Sequence, residues 1–213
     1  MTLKIGNAVH TMNKKYVLTE HWYNALLNSH AAIEAEDKAK ELKFDKLEKR
    51  LIVEIGVFQG ASSCWWSDNF LEHPYSKLIS IDPFTGSSEH HADKKYEEPL
   101  KTLEFTARNN IAYSAQPGKV EVVRGYSWEV YAKLRPDFEE GIDILYIDGA
   151  HEPEEVVRDT SLYAPHVKSG GAIIFDDYGH PDVQRAVNSC IQGFLDLRYA
   201  LATGAGQLWA VRR

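Results

Sequence analysis

The period of the hydrophobic positions changes repeatedly along this chain. Short runs rich in β-branched residues occur at Leu51–Ile55, Lys77–Ile81, Val120–Val123, Ile142–Ile147 and Ala172–Phe175. Each is too short for a helix, and each gives way to a glycine or an acid, as a buried strand does at its end. Between them the apolar positions take helical spacing. A helix starts at Ala61, after Gly56 and Gly60. Leu100, Leu103, Ala107 and Ile111 mark another, and a short one ends near Leu134. Glu152-Pro153-Glu154-Glu155 opens the next, with proline and acids in its first turn, and it runs to about Ala164. Val183, Ala186, Val187, Cys190, Ile191 and Phe194 form the clearest stripe of all. Leu197–Ala202 and Gln207–Val211, around Gly204 and Gly206, read as a final strand pair.

Upstream of this alternation the pattern is different. Residues 1–16 are polar and read as loosely structured. From about Leu18 to Lys40 the spacing is helical, with Trp22, Leu26 and Ile33 on one face, and Lys38–Arg50 is highly charged. We read 1–48 as an N-terminal helical extension and 49–213 as the main domain. Such an extension can pack on the sheet, cover a ligand or mediate dimerisation. Alternating strands and helices predict an α/β fold: a Rossmann-like, doubly wound sheet, mostly parallel, with an antiparallel final strand.

Composition narrows the class. The chain has 213 residues, 44% hydrophobic and 26% charged, which suits one folded domain. A net charge of −7 argues against nucleic acid or an anionic membrane as partner. Cys64 and Cys190 both fall in helical patterns and read as reduced thiols, and no run of about 18 apolar residues occurs. A soluble, cytoplasmic protein is expected, with no membrane partner.

The strand ends carry the candidate chemistry. In open α/β sheets ligands sit at the carboxyl ends of the strands. Glu54-Ile55-Gly56-Val57-Phe58-Gln59-Gly60 links the first strand to a helix. Its spacing, Glu-x-Gly-x-x-x-Gly, differs from the dinucleotide pattern, and Glu54 would repel a pyrophosphate; a ligand with a positive group fits better. Asp82 ends the second strand, where an acid binds ribose hydroxyls. The polar stretch from Pro83 to about Glu98, containing His90 and His91, reads as a long loop and a candidate substrate lid. The central strand ends in Asp148-Gly149-Ala150-His151, and Ala172–Phe175 ends in Asp176-Asp177.

These residues resemble the class I S-adenosylmethionine-dependent methyltransferases over roughly 50–213. Val53-Glu54-Ile55-Gly56-Val57-Phe58-Gln59-Gly60 is similar to that family's first motif, and Asp82, Gly125-Tyr126-Ser127 and Asp148 follow in its order. Tyr146-Ile147-Asp148-Gly149-Ala150-His151 with Gly170-Gly171 and Phe175-Asp176-Asp177-Tyr178 resembles the metal-dependent O-methyltransferase branch, which includes catechol and macrolide-sugar enzymes. The resemblance implies S-adenosylmethionine held by Glu54, Gly56, Gly60, Ser62, Asp82, Tyr126, Ser127 and Asp148. It implies Mg²⁺ or Mn²⁺ on Asp148, Asp176 and Asp177, with Asp177 the weakest of the three. The catechol enzymes carry a catalytic lysine three positions after the first acid. His151 stands there instead, as in some sugar methyltransferases, and is the candidate catalytic base. The expected acceptor is a sugar or glycan hydroxyl in a vicinal diol; the alternative is a catechol or other small molecule.

Plainer roles stand beside these. Asp148 could stabilise a loop, Asp176 and Asp177 could mark a turn, Tyr126 could simply pack, and His90 and His91 read as solvated. Trp65 and Trp66 are expected to pack the first helix. Two other classes remain: a metal-dependent hydrolase using the same acids and His151, and a non-catalytic scaffold retaining the fold. A homo-oligomer, or a place within a larger glycan-processing chain, is compatible with the sequence.

Overall fold

The computed structural model describes residues 3–5, 8–10, 16–18, 26–31, 47–204 and 206–213. A seven-stranded sheet is built from β3 (Leu51–Ile55), β4 (Lys77–Asp82), β5 (Val120–Arg124), β6 (Ile142–Ile147), β7 (Val167–Phe175), β8 (Leu197–Ala202) and β9 (Leu208–Arg212). Its order is β5-β4-β3-β6-β7-β9-β8. The first five strands in that order pair in parallel; β9 runs antiparallel to both β7 and β8. This is the mostly parallel, doubly wound sheet with an antiparallel end that the alternation predicts. The chain leaves β3 towards β4 and β5, then returns to lay β6 on β3's other side. The crevice between the ends of β3 and β6 is thus the topological switch point.

The central strands are buried because helices cover both faces. Helices α1 (Ala61–Phe70), α2 (Ser88–Ala92), α3 (Glu97–Lys101), α4 (Leu103–Ala112), α5 (Ser127–Leu134), α6 (Pro153–Tyr163) and α7 (Pro181–Gly193) follow in chain order. One core layer joins Val53, Ile55, Leu145 and Phe175 to Val156, Tyr163, Val183 and Val187. The opposite layer joins Ile52, Ile144, Ile174 and Trp209 to Trp65 and Trp66, which are fully buried as expected. Among the described residues no helix is long and apolar enough to cross a membrane.

Four expectations need correction. Within 1–16, Leu3–Ile5 and Ala8–His10 pair as an antiparallel hairpin, β1 and β2. The stretch 83–98 is no open loop: it folds into α2, a 3-10 turn at Lys94–Tyr96 and the start of α3, with the Ser87 side chain capping α2. The helix expected across Leu100 to Ile111 breaks at Thr102 into α3 and α4. Phe194 leaves the α7 stripe: it follows the last helical residue with φ −153°, so it turns outward, 49% exposed.

Part of the N-terminal extension is visible on the main domain. Leu26, in the helical segment 26–31, is buried in the Trp65–Trp66 layer. The Tyr16 hydroxyl donates to Asp68 Oδ2 at 2.7 Å, and the Val17 N–H donates to Asn110 Oδ1 at 2.8 Å. Trp22 and Ile33 lie outside the described residues.

Candidate active site

A cavity of about 620 Å³ opens at the switch point. Gly56, Ser62, Asp82, Tyr126, Ser127, Asp148, His151 and Asp177 all line it, so residues scattered over more than 120 positions of sequence meet on one wall system. Leu18, from the extension, and Ser87 to His90, from the stretch anticipated as a lid, line it too.

The turn after β3 is shaped by a close approach. Gly56 sits at φ +92°, and a Cβ there would lie 1.8 Å from the Asp148 carbonyl oxygen. Only glycine lets the first-strand turn pass the tip of β6 at this distance. Asp82 then holds the turn. Its Oδ2 accepts from the Val57 and Phe58 N–H groups at 2.7 and 2.8 Å, and its Oδ1 accepts from the Phe84 N–H. Burial raises the Asp82 carboxyl, and those three N–H groups pull it back down. The carboxylate is fixed at the cavity wall with lone pairs left for hydroxyl donors.

Glu54 and Gly60 depart from the expected direct contact with a cofactor: neither lines the cavity. Glu54 is fully buried beneath the turn, where its Oε2 accepts from the Ser63 and Ser80 hydroxyls. Burial pushes its carboxyl up to about 7, against the hydrogen bonds of its serine neighbours. Gly60 instead lets α1 approach α4; a Cβ there would meet the Ala107 carbonyl oxygen at 3.2 Å.

On the other side of the crevice the acids crowd together. Asp148, His151 and Asp177 each offer a ligand atom, and these atoms lie within 4.8 Å of one another. Asp176, expected as a ligand, is not in that group. Asp177 has left-handed backbone, φ 48°, which sends the two neighbouring carboxylates in different directions. Asp176 turns into the core and accepts from the Tyr146 hydroxyl, which also lies 3.1 Å from Asp148 Oδ2. Asp177, the weaker candidate by sequence, reaches the cavity. Partial burial raises Asp148 well above the usual carboxylate range, and the charges of Asp176 and Asp177 raise it further. Two hard oxygen donors and an imidazole, with acids that repel one another until a positive charge arrives, fit a divalent cation such as Mg²⁺ or Mn²⁺.

His151 takes that positive role in this arrangement. Its Nε2 lies 2.9 Å from Asp177 Oδ2 and its Nδ1 lies 3.2 Å from Glu89 Oε2. The hydrogen bond to Asp177 raises its pKa to about 9 against the opposing effect of burial, with the charges of Asp177 and Glu89 adding to the rise. Paired this way it is an imidazolium at neutral pH.

Glu89, Ser88, Glu152 and Asp159 were not given a site role from the sequence, and His90 and Tyr126 are placed by their stacking partners. Glu89 reaches His151 from α2, and Ser88 Oγ donates to Glu152 Oε1 at 2.7 Å, so α2 closes over the β6 tip. His90, expected to be solvated, stacks on Phe58 with centroids 4.4 Å apart and planes 5° from parallel. Tyr126 is 44% exposed and stacks on Trp128, so it does not pack in the core. Asp159 is buried at the cavity wall and accepts from the Ser127 hydroxyl. A signal for it existed: Val156, Asp159, Thr160 and Tyr163 form the buried stripe of α6, and an acid on such a stripe asks for a partner.

Residues 53–178 match the family described as a methyltransferase domain. An uncharacterized protein of Acanthamoeba polyphaga mimivirus, R132, is 33% identical over 144 residues, which is 65% of this chain and 58% of that protein. Thus the chain matches little more than half the length of that relative. Two of the solved structures that share the fold illustrate the likeness. CalS11, a TDP-rhamnose 3′-O-methyltransferase of calicheamicin biosynthesis, superposes with a TM-score of 0.54 at 14% identity over 95% of this chain and 99% of its own. MycE, a methyltransferase of the mycinamycin pathway solved with Mg, SAH and mycinamycin VI, gives 0.53 at 15% identity over 92% of this chain and 50% of its own.

Proposed function

The chain belongs to the methyltransferase-domain family, and from that premise we propose that it transfers a methyl group from S-adenosylmethionine to a hydroxyl of a vicinal diol on a sugar or glycan, with a divalent cation. The observation that carries this reading is the meeting of two unlike acid groups on one cavity. Asp82, held by backbone N–H groups, suits ribose hydroxyls. Asp148, His151 and Asp177, across the crevice, suit a cation and a proton acceptor.

The Gly56 turn, Ser62 and the Tyr126–Ser127 segment line the cavity and would flank the cofactor. Asp148 and Asp177 are the residues that would hold the cation, with Asp176 behind them and joined to Asp148 through Tyr146. A bound Mg²⁺ or Mn²⁺ would orient two neighbouring oxygens and lower the pKa of the one to be methylated. With Asp177 engaged on the cation, the chief cause of His151's raised pKa would be removed, and burial would then act against the remaining pull of Glu89. S-adenosylmethionine bound in the cavity would supply a methyl group, its carbon–sulfur bond yielding its electron pair to sulfur as the acceptor oxygen attacks, and His151 would take the hydroxyl proton.

The sugar acceptor draws support from His151, in the position where catechol enzymes carry lysine, and from the sugar substrate in the name of CalS11. The test is a panel of nucleotide sugars and glycosides assayed with labelled S-adenosylmethionine, with Mg²⁺ or with EDTA. Methylation of a vicinal diol that disappears with EDTA, and with either hydroxyl removed, is the expected result. Equal turnover in EDTA would remove the cation from the mechanism, and catechol turnover with no sugar turnover would reverse the choice of acceptor.

A further inference from the structure

The helices that start at the cavity treat negative charge differently. α1 begins at the glycine turn assigned above to the cofactor, and it has no acid in its first turn, which leaves its positive end open. α5 and α6 also start at the cavity wall, and their positive ends are already taken. The Tyr126 N–H, at the start of α5, donates to Glu129 Oε2 at 3.4 Å. Glu152 occupies the N-cap of α6, and Glu154 and Glu155 stand in its first turn. Carboxylates of the chain itself thus sit where a helix N-terminus would otherwise hold a phosphate.

More acid surrounds the β6 tip. Glu89 and Glu152 reach over it from α2 and α6, and both line the cavity with Asp148, Asp177 and Glu155. Among the described residues no lysine lines the cavity, and Arg158 is its one arginine. That guanidinium is engaged by the chain's own groups: its Nη1 donates to both Glu155 oxygens at 2.7 and 2.8 Å, and it lies 5.8 Å from the centroid of the Trp128 ring. His151 is held between Asp177 and Glu89, while His90 stacks on Phe58 and its Nδ1 accepts from the Ser87 N–H. A divalent cation on Asp148 and Asp177 would only match the charges of those two acids.

The sugar ring that carries the methylated diol must lie against this cluster. In a nucleotide sugar the diphosphate sits on the anomeric carbon of that same ring, within the ring's width of the diol and well inside the Debye length of about 8 Å at physiological salt. Its charges would face Glu89 and Glu152 at close range, and like charges set together in this way disfavour a partner strongly. We propose that these acids exclude phosphate, so that the site takes a glycoside whose sugar is already joined to an aglycone or glycan and turns away the nucleotide sugar. Glycosyl transfer is then the reaction that supplies the substrate. In it the bond from the anomeric carbon to the diphosphate oxygen breaks with its electron pair, and a hydroxyl of the aglycone forms the new carbon–oxygen bond and gives up its proton. Methylation follows that step. This inference rests on the sugar-methylating reading above and narrows its acceptor.

The test presents glucose, rhamnose and fucose in two forms each, as the nucleoside diphosphate sugar and as the methyl glycoside. The native protein, Glu89→Gln and Glu152→Gln are assayed with labelled S-adenosylmethionine and with Mn²⁺ in excess over diphosphate. Both glutamates are exposed, so the variants should fold. Native kcat/KM should favour the glycoside by on the order of a hundredfold, and added TDP should not inhibit its methylation. Each variant should lower that ratio by about threefold to tenfold, through gain for the nucleotide sugar. Damage to His151 or to α2 would slow both forms alike and leave the ratio unchanged. Turnover of the nucleotide sugar equal to that of the glycoside in the native protein, or competition by TDP, overturns the proposal. A ratio that neither variant moves overturns it too, since the rejection would then lie in shape and not in charge. If no sugar is methylated in either form, the sugar reading itself fails, and that outcome is distinct from an unmoved ratio.

Discussion

Asp82 and Asp148 both stand at the end of a central strand, both are raised by removal from water, and their surroundings differ completely. Asp82 accepts from three backbone N–H groups. Asp148 has the Tyr146 hydroxyl at 3.1 Å and two further carboxylates as neighbours. The first is a finished carboxylate, kept charged by donors the fold supplies, and it suits neutral hydroxyls. The second lacks its compensating charge, and His151 only partly supplies it. The contrast separates cofactor binding from cation binding within a single cavity, because satisfied acids need no cation and crowded ones do.

The largest expected effect comes from the unfinished side. Asp148→Ala should lower methyl transfer on the order of 10³-fold or more, abolish divalent-cation binding, and leave S-adenosylhomocysteine affinity within a few-fold of native. The same variant should melt at a higher temperature than the native apo protein, since it relieves repulsion among the three acids. Kinetics, calorimetry and a thermal scan check the three parts.

Asp82→Ala should act in the opposite sense. It leaves the Val57, Phe58 and Phe84 N–H groups without their acceptor, which costs about 2–4 kcal/mol of stability, and it lowers cofactor affinity about a hundredfold. Cation binding should persist. Denaturant unfolding and calorimetry on the same sample separate these effects; a variant that lost cation binding as well would join the two halves that the geometry keeps apart.

Glu54 gives the smallest effect and sharpens the picture from below the turn. Its carboxyl moves from the usual 4.5 to about 7 in the folded state. Between those values the folded protein holds a proton that the unfolded chain has lost, so stability falls as pH rises through the window and is lowest above it. Glu54→Gln removes that dependence. From pH 5 to pH 8 the native protein should lose up to about 3 kcal/mol relative to the variant, as urea unfolding at the two pH values would measure. An unchanged difference would mean that Glu54 is solvated in the folded state.

Much of this arrangement was legible in the sequence because strand ends announce themselves. Ile142, Ile144 and Ile147 define a buried strand, and an acid at its tip has no packing role to play. Trp65 and Trp66, expected to pack the first helix, are fully buried. What was hidden depends on single dihedral angles and on partners far away in sequence. No pattern tells that Asp177 has left-handed backbone or that Asp176 turns towards Tyr146. Glu54 resembled a cofactor contact because it precedes the glycine turn, but its position in the strand points it down towards Ser63 and Ser80. The stretch 83–98 looked like a loop because its order comes from tertiary contacts, His90 on Phe58 and Ser88 on Glu152, and not from an apolar stripe.

One experiment tests the division of the cavity most directly: calorimetric titration of S-adenosylhomocysteine and, separately, of Mn²⁺ into the native protein, Asp148→Ala and Asp82→Ala. The expected result is that Asp148→Ala binds the nucleoside and not the ion, while Asp82→Ala binds the ion and only weakly the nucleoside. Ion binding that survives in Asp148→Ala, or a native protein that binds no nucleoside, would contradict the account.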